Sequence, residues 1–257
     1  MKTLKIGCCG FPVSRSKYYS VLNVVELQNT FYELPSEEWF NKIRSEAPEN
    51  FEFTIKAWQV ITHPSTSPTW KKMKKKPGGD LNNYGYLKPT RENIEAFEKI
   101  VNAAHILKSR IIILQTPASM PFSDEVIKWV SEFFEQARSL IDKNMIIGWE
   151  PRGKWADERD ILKRILAKYE ILHVVDLFRR EPAHLVNGIL YTRLHGIGSG
   201  EVNYKYKYTR EDFDKLLGFL DKYNFNVAYI MFNNVYMFND AVALKEFVAK
   251  TGKYKIG

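Results

Sequence analysis

The stretch VVELQNTFYELPS, residues 24–36, opens like a buried strand and then changes character. Val24, Val25 and Leu27 suit a sheet interior, yet Glu26 and Gln28 stand two apart, so on a strand both point to the same side. Seven other short apolar runs can be marked as strands, at residues 4–9, 51–57, 110–115, 145–150, 171–176, 189–195 and 227–233. Most are continuous runs without strict alternation, as expected where both faces of a sheet are covered. Six of these seven also finish on polar or ionisable groups: Lys56; Gln115; Glu150 with Arg152; Asp176; Arg193 with His195; and Asn233 with Asn234.

Helical patterns lie between the runs. Residues 36–47 begin just after Pro35 with Ser36 as a candidate cap. Residues 90–107 place Ile94, Phe97, Ile100, Val101 and Ala104 on one stripe, and residues 123–141 do the same with Val126, Ile127, Val130, Phe133, Phe134 and Ala137. Residues 157–169, 209–223 and 240–251 complete the set, the last ending at Gly252. Eight strands alternating with helices over 257 residues predict an α/β fold, a single (β/α)8 barrel spanning 1–257. A doubly wound open sheet is the competitor, but the first turn reads GCCGFP and not GxGxxG. A long connection, residues 62–89, follows the third strand, is rich in Pro and Gly, and carries lysines at 71, 72, 74, 75 and 76. Its expected place is over the barrel mouth. Residues 196–208, GIGSGEVNYKYKY, mix glycines with lysines and tyrosines after the seventh strand.

Bulk composition narrows the class. At 45% hydrophobic and 14% aromatic the chain has material for a well-filled core, which excludes a disordered protein. No apolar run approaches the roughly 18 residues of a membrane helix, and the N-terminus reads as a first strand, not a signal peptide. The two cysteines, Cys8 and Cys9, are adjacent and on a strand would face opposite ways, which suits neither a disulfide framework nor a CxxC metal site. The expected compartment is the cytoplasm. Lys and Arg number 38 against 30 Asp and Glu, a net +8 that favours anionic partners such as phosphorylated metabolites or nucleic acid.

In a (β/α)8 barrel the strand ends converge where active sites are built, so Glu26 is expected to be one member of a ring. Glu26, Glu150 and Asp176 supply three negative charges, and Lys56, Arg152 and Arg193 supply three positive ones, with His195 and His63 able to titrate. Burying unpaired charge is expensive, so these groups should pair. The plain alternative is a neutral salt-bridge lattice with no chemistry. With only His63 and His195 near the mouth, a multinuclear zinc site is not expected. A single Mg2+ or Mn2+ on Glu26, Glu150 and Asp176 stays open, although three cations compete for the same carboxylates. Glu26, Lys56, Glu150, Asp176 and His195 are the catalytic candidates, since a lysine–carboxylate pair in a dry pocket supplies acid/base function. Lys56 could instead form a Schiff base with a carbonyl. Arg152 and Arg193 suit bidentate phosphate or carboxylate recognition, and Gln28, Gln115, Asn233 and Asn234 suit hydroxyl reading.

The motifs VELQNTFYELPS, FEFTIKA followed by ITHP, ILQTP, GWEPRGKW, VVD, YTRLHG and MFNN, in this order, resemble the YecE-like family, domain of unknown function 72. The resemblance covers essentially the whole chain. It implies a barrel related to sugar isomerases and an apurinic endonuclease, with a nucleic-acid role as one expectation. It highlights Asn29, Tyr32 and His63 beside the strand-end residues already named. Two departures stand out. The family's usual GTSGW is replaced by Gly7, Cys8, Cys9, Gly10 and Phe11, and its EFRH by Glu150, Pro151, Arg152 and Gly153, which removes a histidine and disfavours an endonuclease-like zinc cluster.

Three functions follow as expectations. One is an enzyme (a hydrolase, lyase or isomerase) on a phosphorylated or sugar-like small molecule. The second is a protein that binds or processes nucleic acid. The third is a non-catalytic ligand-binding scaffold.

Overall fold

A computed structural model describes residues 1–257. Eight parallel strands form a closed barrel with helices between them: β1 (Thr3–Cys9), β2 (Val24–Leu27), β3 (Glu52–Lys56), β4 (Ile111–Gln115), β5 (Ile146–Glu150), β6 (Leu172–Val175), β7 (Ile189–Leu194) and β8 (Val227–Phe232). The sheet runs β2-β3-β4-β5-β6-β7-β8-β1, and β1 pairs back to β2 to close it. A ninth strand, β9 (Lys255–Ile256), adds to β1. No helix is long and apolar enough to cross a membrane. Tertiary contacts group the chain into two compact units.

The first unit comprises Met1–Glu26, Ala47–Glu52 and Leu172–Gly257. Here β1 runs beside β8 from Thr3↔Val227 to Cys8↔Phe232, and β7 beside β8 from Ile189↔Val227 to Leu194↔Phe232. Their side chains, among them Leu4, Leu190, Ile230 and Phe232, are fully buried, which explains the absence of alternation in these runs. At Gly7 a Cβ would lie 2.2 Å from the Val24 carbonyl oxygen, so only glycine lets the two chains approach. Outside the strands pack α1 (Arg15–Tyr19), α9 (Arg210–Asp221) and α10 (Met237–Thr251). Thr209 starts α9 through a reciprocal capping box with Asp212, and Gly252, with φ +63°, ends α10 in the left-handed conformation.

The second unit comprises Leu27–Glu46 and Phe53–Ile171. It holds α2 (Asn29–Tyr32), α3 (Glu37–Glu46), α4 (Gln59–Thr62), α5 (Arg91–Leu107), α6 (Asp124–Ser139), α7 (Lys154–Asp157) and α8 (Arg159–Lys168). The apolar stripes of α5 and α6 face inward: Phe97 meets Phe133 at 5.8 Å, and Phe134 meets Trp149 of β5 at 5.3 Å. Ile94 and Ile127, expected on the same stripes, stay half-buried near the helix starts. Thr90 and Ser123 cap these helices by accepting from the Asn93 and Val126 amides, and the Trp39 amide donates to Ser36 ahead of α3. Residues 62–89 are built around two short 3-10 turns, Pro68–Lys72 and Leu81–Asn83, with Trp70, Tyr84 and Leu87 buried beneath them.

Candidate active site

In the second unit the polar strand ends form two pairs on neighbouring strands, with Gln115 of β4 in register with Glu150 of β5. Lys56 closes β3, and its Nζ donates to Gln115 Oε1 of β4 at 2.9 Å while resting 3.8 Å over the Phe31 ring. Gln115 turns its amide nitrogen to the Thr116 carbonyl, leaving the oxygen for the lysine. Thr30 anchors the same corner by donating to the Lys56 carbonyl at 2.6 Å. Glu150 closes β5, and its Oε1 accepts from both Nε and Nη2 of Arg152, at 3.0 and 2.9 Å. The turn that follows depends on Gly153, whose φ is +61° and where a Cβ would sit 2.5 Å from the Ala118 carbonyl oxygen.

His63 is the chemically distinctive member. It is buried, bonded through Nδ1 to the Thr62 hydroxyl at 2.8 Å, and packed edge-on to Phe31 at 5.0 Å. Burial first, and then the positive charges of Lys56 and Arg152, pull its pKa down to about 3. At neutral pH the ring is therefore uncharged. It can exchange a hydrogen bond without adding a third cation.

Gln28, Asn29 and Tyr32 line a cavity of about 600 Å³ together with Lys72 and Lys74. Lys72 Nζ lies 4.7 Å over the half-exposed Tyr32 ring. Next to Tyr32, Gln59 Nε2 donates to the Tyr32 carbonyl, whereas Gln59 Oε1 and Trp58 Nε1 are buried with no hydrogen-bond partner. Such orphans are costly unless a ligand or water meets them. Neither residue was singled out from sequence, because both follow the strand end inside an apolar run.

In the first unit Glu26 and Arg193 are fully enclosed, 3.0 Å apart, and Glu26 also accepts from the Tyr191 hydroxyl at 2.9 Å. Asp176 is bound by the amides of Phe178 and His195, both at 3.0 Å, and lies 3.6 Å from His195 Nδ1 and 3.7 Å from Arg179 Nε. Arg179 in turn donates to the Gly196 carbonyl at 2.7 Å. Asn234 is buried and donates to the Tyr206 carbonyl and to Asp240. Asn233 is half-buried, its amide bonded to the Leu194 carbonyl. The cysteines that precede this group on β1 are both buried and free. Burial pushes the Cys8 thiol up to about 12 and raises Cys9 well above its ordinary value, with the Glu26 charge adding to the effect on Cys9.

No group of three or more His, Cys, Asp or Glu side chains is arranged to hold a metal ion. Glu26 and Glu150 each face an arginine, and Asp176 is occupied by backbone amides. Each of the three carboxylates on which a single Mg2+ or Mn2+ stayed open is thus already engaged by protein donors.

A closed parallel barrel with paired ionisable groups at its strand ends belongs to the broad class of TIM barrels. Within it, the chain belongs to the family described as "Protein of unknown function DUF72", whose model matches residues 14–254. It is similar to a DUF72 family protein from Thermotoga maritima, with 21% identity, 96% of this chain and 99% of the other covered, and a TM-score of 0.67. It is also similar in fold to a D-psicose 3-epimerase solved in the presence of D-fructose (13% identity, 97% and 99% covered, TM-score 0.59). Endonuclease IV from Thermus thermophilus aligns at 9% identity, with 97% and 100% covered and a TM-score of 0.56. No curated protein matches.

Proposed function

We propose that this protein is an enzyme acting on a phosphorylated or polyhydroxylated, sugar-like small molecule, by proton transfer at the strand ends of its second unit. The observation that carries this reading is that Lys56 and the buried His63 pack on the same Phe31 ring, with Lys56 bonded to Gln115 and the strand neighbour of Gln115, Glu150, paired with Arg152. A purely structural lattice has no use for a buried imidazole beside two cations, since apolar packing would do as well. In this reading Glu150 takes or gives the proton and Arg152 fixes its orientation. Lys56 steadies developing negative charge, with Gln115 holding it in place. His63 hydrogen-bonds a substrate oxygen in its neutral form. Gln28, Asn29 and Tyr32 read hydroxyls in the adjoining cavity, and Lys72 with Lys74 meets a phosphate. In the first unit Asp176 orients His195 as a positioning residue, while Glu26 and Arg193 hold each other. The epimerase in the presence of D-fructose, among the fold relatives, is in keeping with a sugar-like substrate.

The test is turnover of a panel of free and phosphorylated sugars by the parent protein and by Glu150→Gln. The substitution is expected to lower kcat by about 10²–10⁴-fold, the usual worth of a positioned acid or base, with the thermal melt retained. Undiminished turnover in the variant overturns the assignment.

A further inference from the structure

Five large apolar side chains are exposed on this chain, and three of them, Tyr204, Val235 and Tyr236, fall together in the first unit. They stand 45%, 67% and 40% exposed, on the connection that follows β7 and the one that follows β8. The Val235 amide donates to the Tyr204 carbonyl at 2.8 Å, which ties the two connections edge to edge. Lys207 Nζ lies 5.8 Å from the Tyr236 ring, and Lys205 is exposed beside Tyr204.

The patch is held from below. Asn203 donates its amide to the His195 carbonyl at 2.7 Å and its side chain to the Ile197 carbonyl at 2.8 Å. Asn234 donates to the Tyr206 carbonyl, and the Tyr206 hydroxyl donates to Asp212. Gly196, with φ +85°, leaves no room for a Cβ, which would lie 2.0 Å from the Asn203 carbonyl oxygen. The tyrosines are therefore presented by a braced backbone, and little ordering is needed when something binds. The charges are sorted as well. Asp212 and Asp240 are buried and bonded inward, and Glu201 is taken by Arg180. Lysines are left facing out. Single exposed apolar residues need no explanation, but a contiguous, braced, cationic set of them does.

Flat apolar faces interleaved with cations complement a ligand that alternates flat rings with negative charges. We propose that Tyr204, Val235 and Tyr236, with Lys205 and Lys207, form a platform for single-stranded nucleic acid, the bases stacking on the tyrosines and the phosphates meeting the lysines. A duplex would hide its base faces from this surface. The platform shares no residue with the Glu150 group, so it stands or falls independently of the enzymatic assignment.

The experiment is fluorescence anisotropy with a labelled oligo-dT of about ten nucleotides, across a salt series, with inorganic polyphosphate and duplex DNA as competitors. Tyr204→Ala and Tyr236→Ala are each expected to weaken binding by between about fivefold and 150-fold, without changing the salt slope. Lys205→Gln with Lys207→Gln should lower the slope by about 1.4, the contribution of two phosphate contacts. Glu150→Gln should bind as the parent does. Circular dichroism melts confirm that each variant is folded. Parental affinity in both tyrosine variants overturns the proposal, as does polyphosphate or duplex competing as well as unlabelled oligo-dT. Sedimentation showing a parental dimer that Val235→Glu dissociates also overturns it, because the patch is then a contact between copies of this chain.

Discussion

Glu26 and Arg193 are fully enclosed and lie 3.0 Å apart, so each serves as the other's partner. That pairing was not readable along the chain: both residues stand out as polar ends of apolar runs, yet nothing in their spacing joins positions so far apart. Asn234 likewise reads as a hydroxyl-reading amide, while its partner Asp240 gives no local signal and engages it at 2.6 Å. His63 supplies a quantity that can be checked. Its pKa is about 3 in the folded state against about 6.5 when unfolded, so between those values the unfolded chain binds the extra proton. Stability attributable to this residue is complete above pH 6.5 and is lost as pH falls toward 3. The slope should be up to about 1.4 kcal/mol per pH unit. Urea titrations of the parent and His63→Gln between pH 7 and 4 should converge or diverge at that slope; parallel curves would show that the imidazole is not held neutral.

At the scale of elements, each strand from β2 onward stops at or before the last residue of the expected run. Gln28, Asp176, His195 and Asn233 all fall just beyond their strands. The reason is chemical: a side chain that must turn to meet a partner or a ligand leaves the ladder there. The long amphipathic helices were legible because their stripes run for several turns. The short helices α1, α2, α4 and α7 were not, since four or five residues hold too little of a period. Two-residue β9 was missed for the same reason. Ser36 was readable as a cap, whereas Thr209, which opens an expected helix without having been marked as one, forms the fullest cap, a reciprocal box with Asp212. Thr209→Ala should cost about 1 kcal/mol of stability, measured by chemical denaturation. A change within error would mean that the box adds nothing beyond packing.

For the whole molecule, the pattern of runs and stripes identified a closed parallel barrel, because eight repeats of one local unit admit few other arrangements. The grouping of the chain into units was not visible. The first unit draws on three separated stretches and pairs β1 with β8 across most of the sequence, whereas most of the second, residues 53–171, is continuous. Closing a long loop must precede any reward from the contacts it brings, so the second unit should order first. Pulse-labelling hydrogen exchange during refolding should protect the β4–β5 amides ahead of those between β1 and β8. Simultaneous protection would indicate a single concerted step.

Cys8 and Cys9 give the molecule a built-in clock. Both thiols are buried and far less acidic than a free cysteine at neutral pH, and the Cys8 sulfur is further engaged by donating to the Met237 carbonyl at 3.3 Å. A thiol reagent needs thiolate and access, and β1 grants neither while it is paired on both sides. Modification of the native protein should therefore keep time with the opening of the barrel at its first strand. Its plateau rate at high reagent concentration would report how long the folded state lasts, without any denaturant being added.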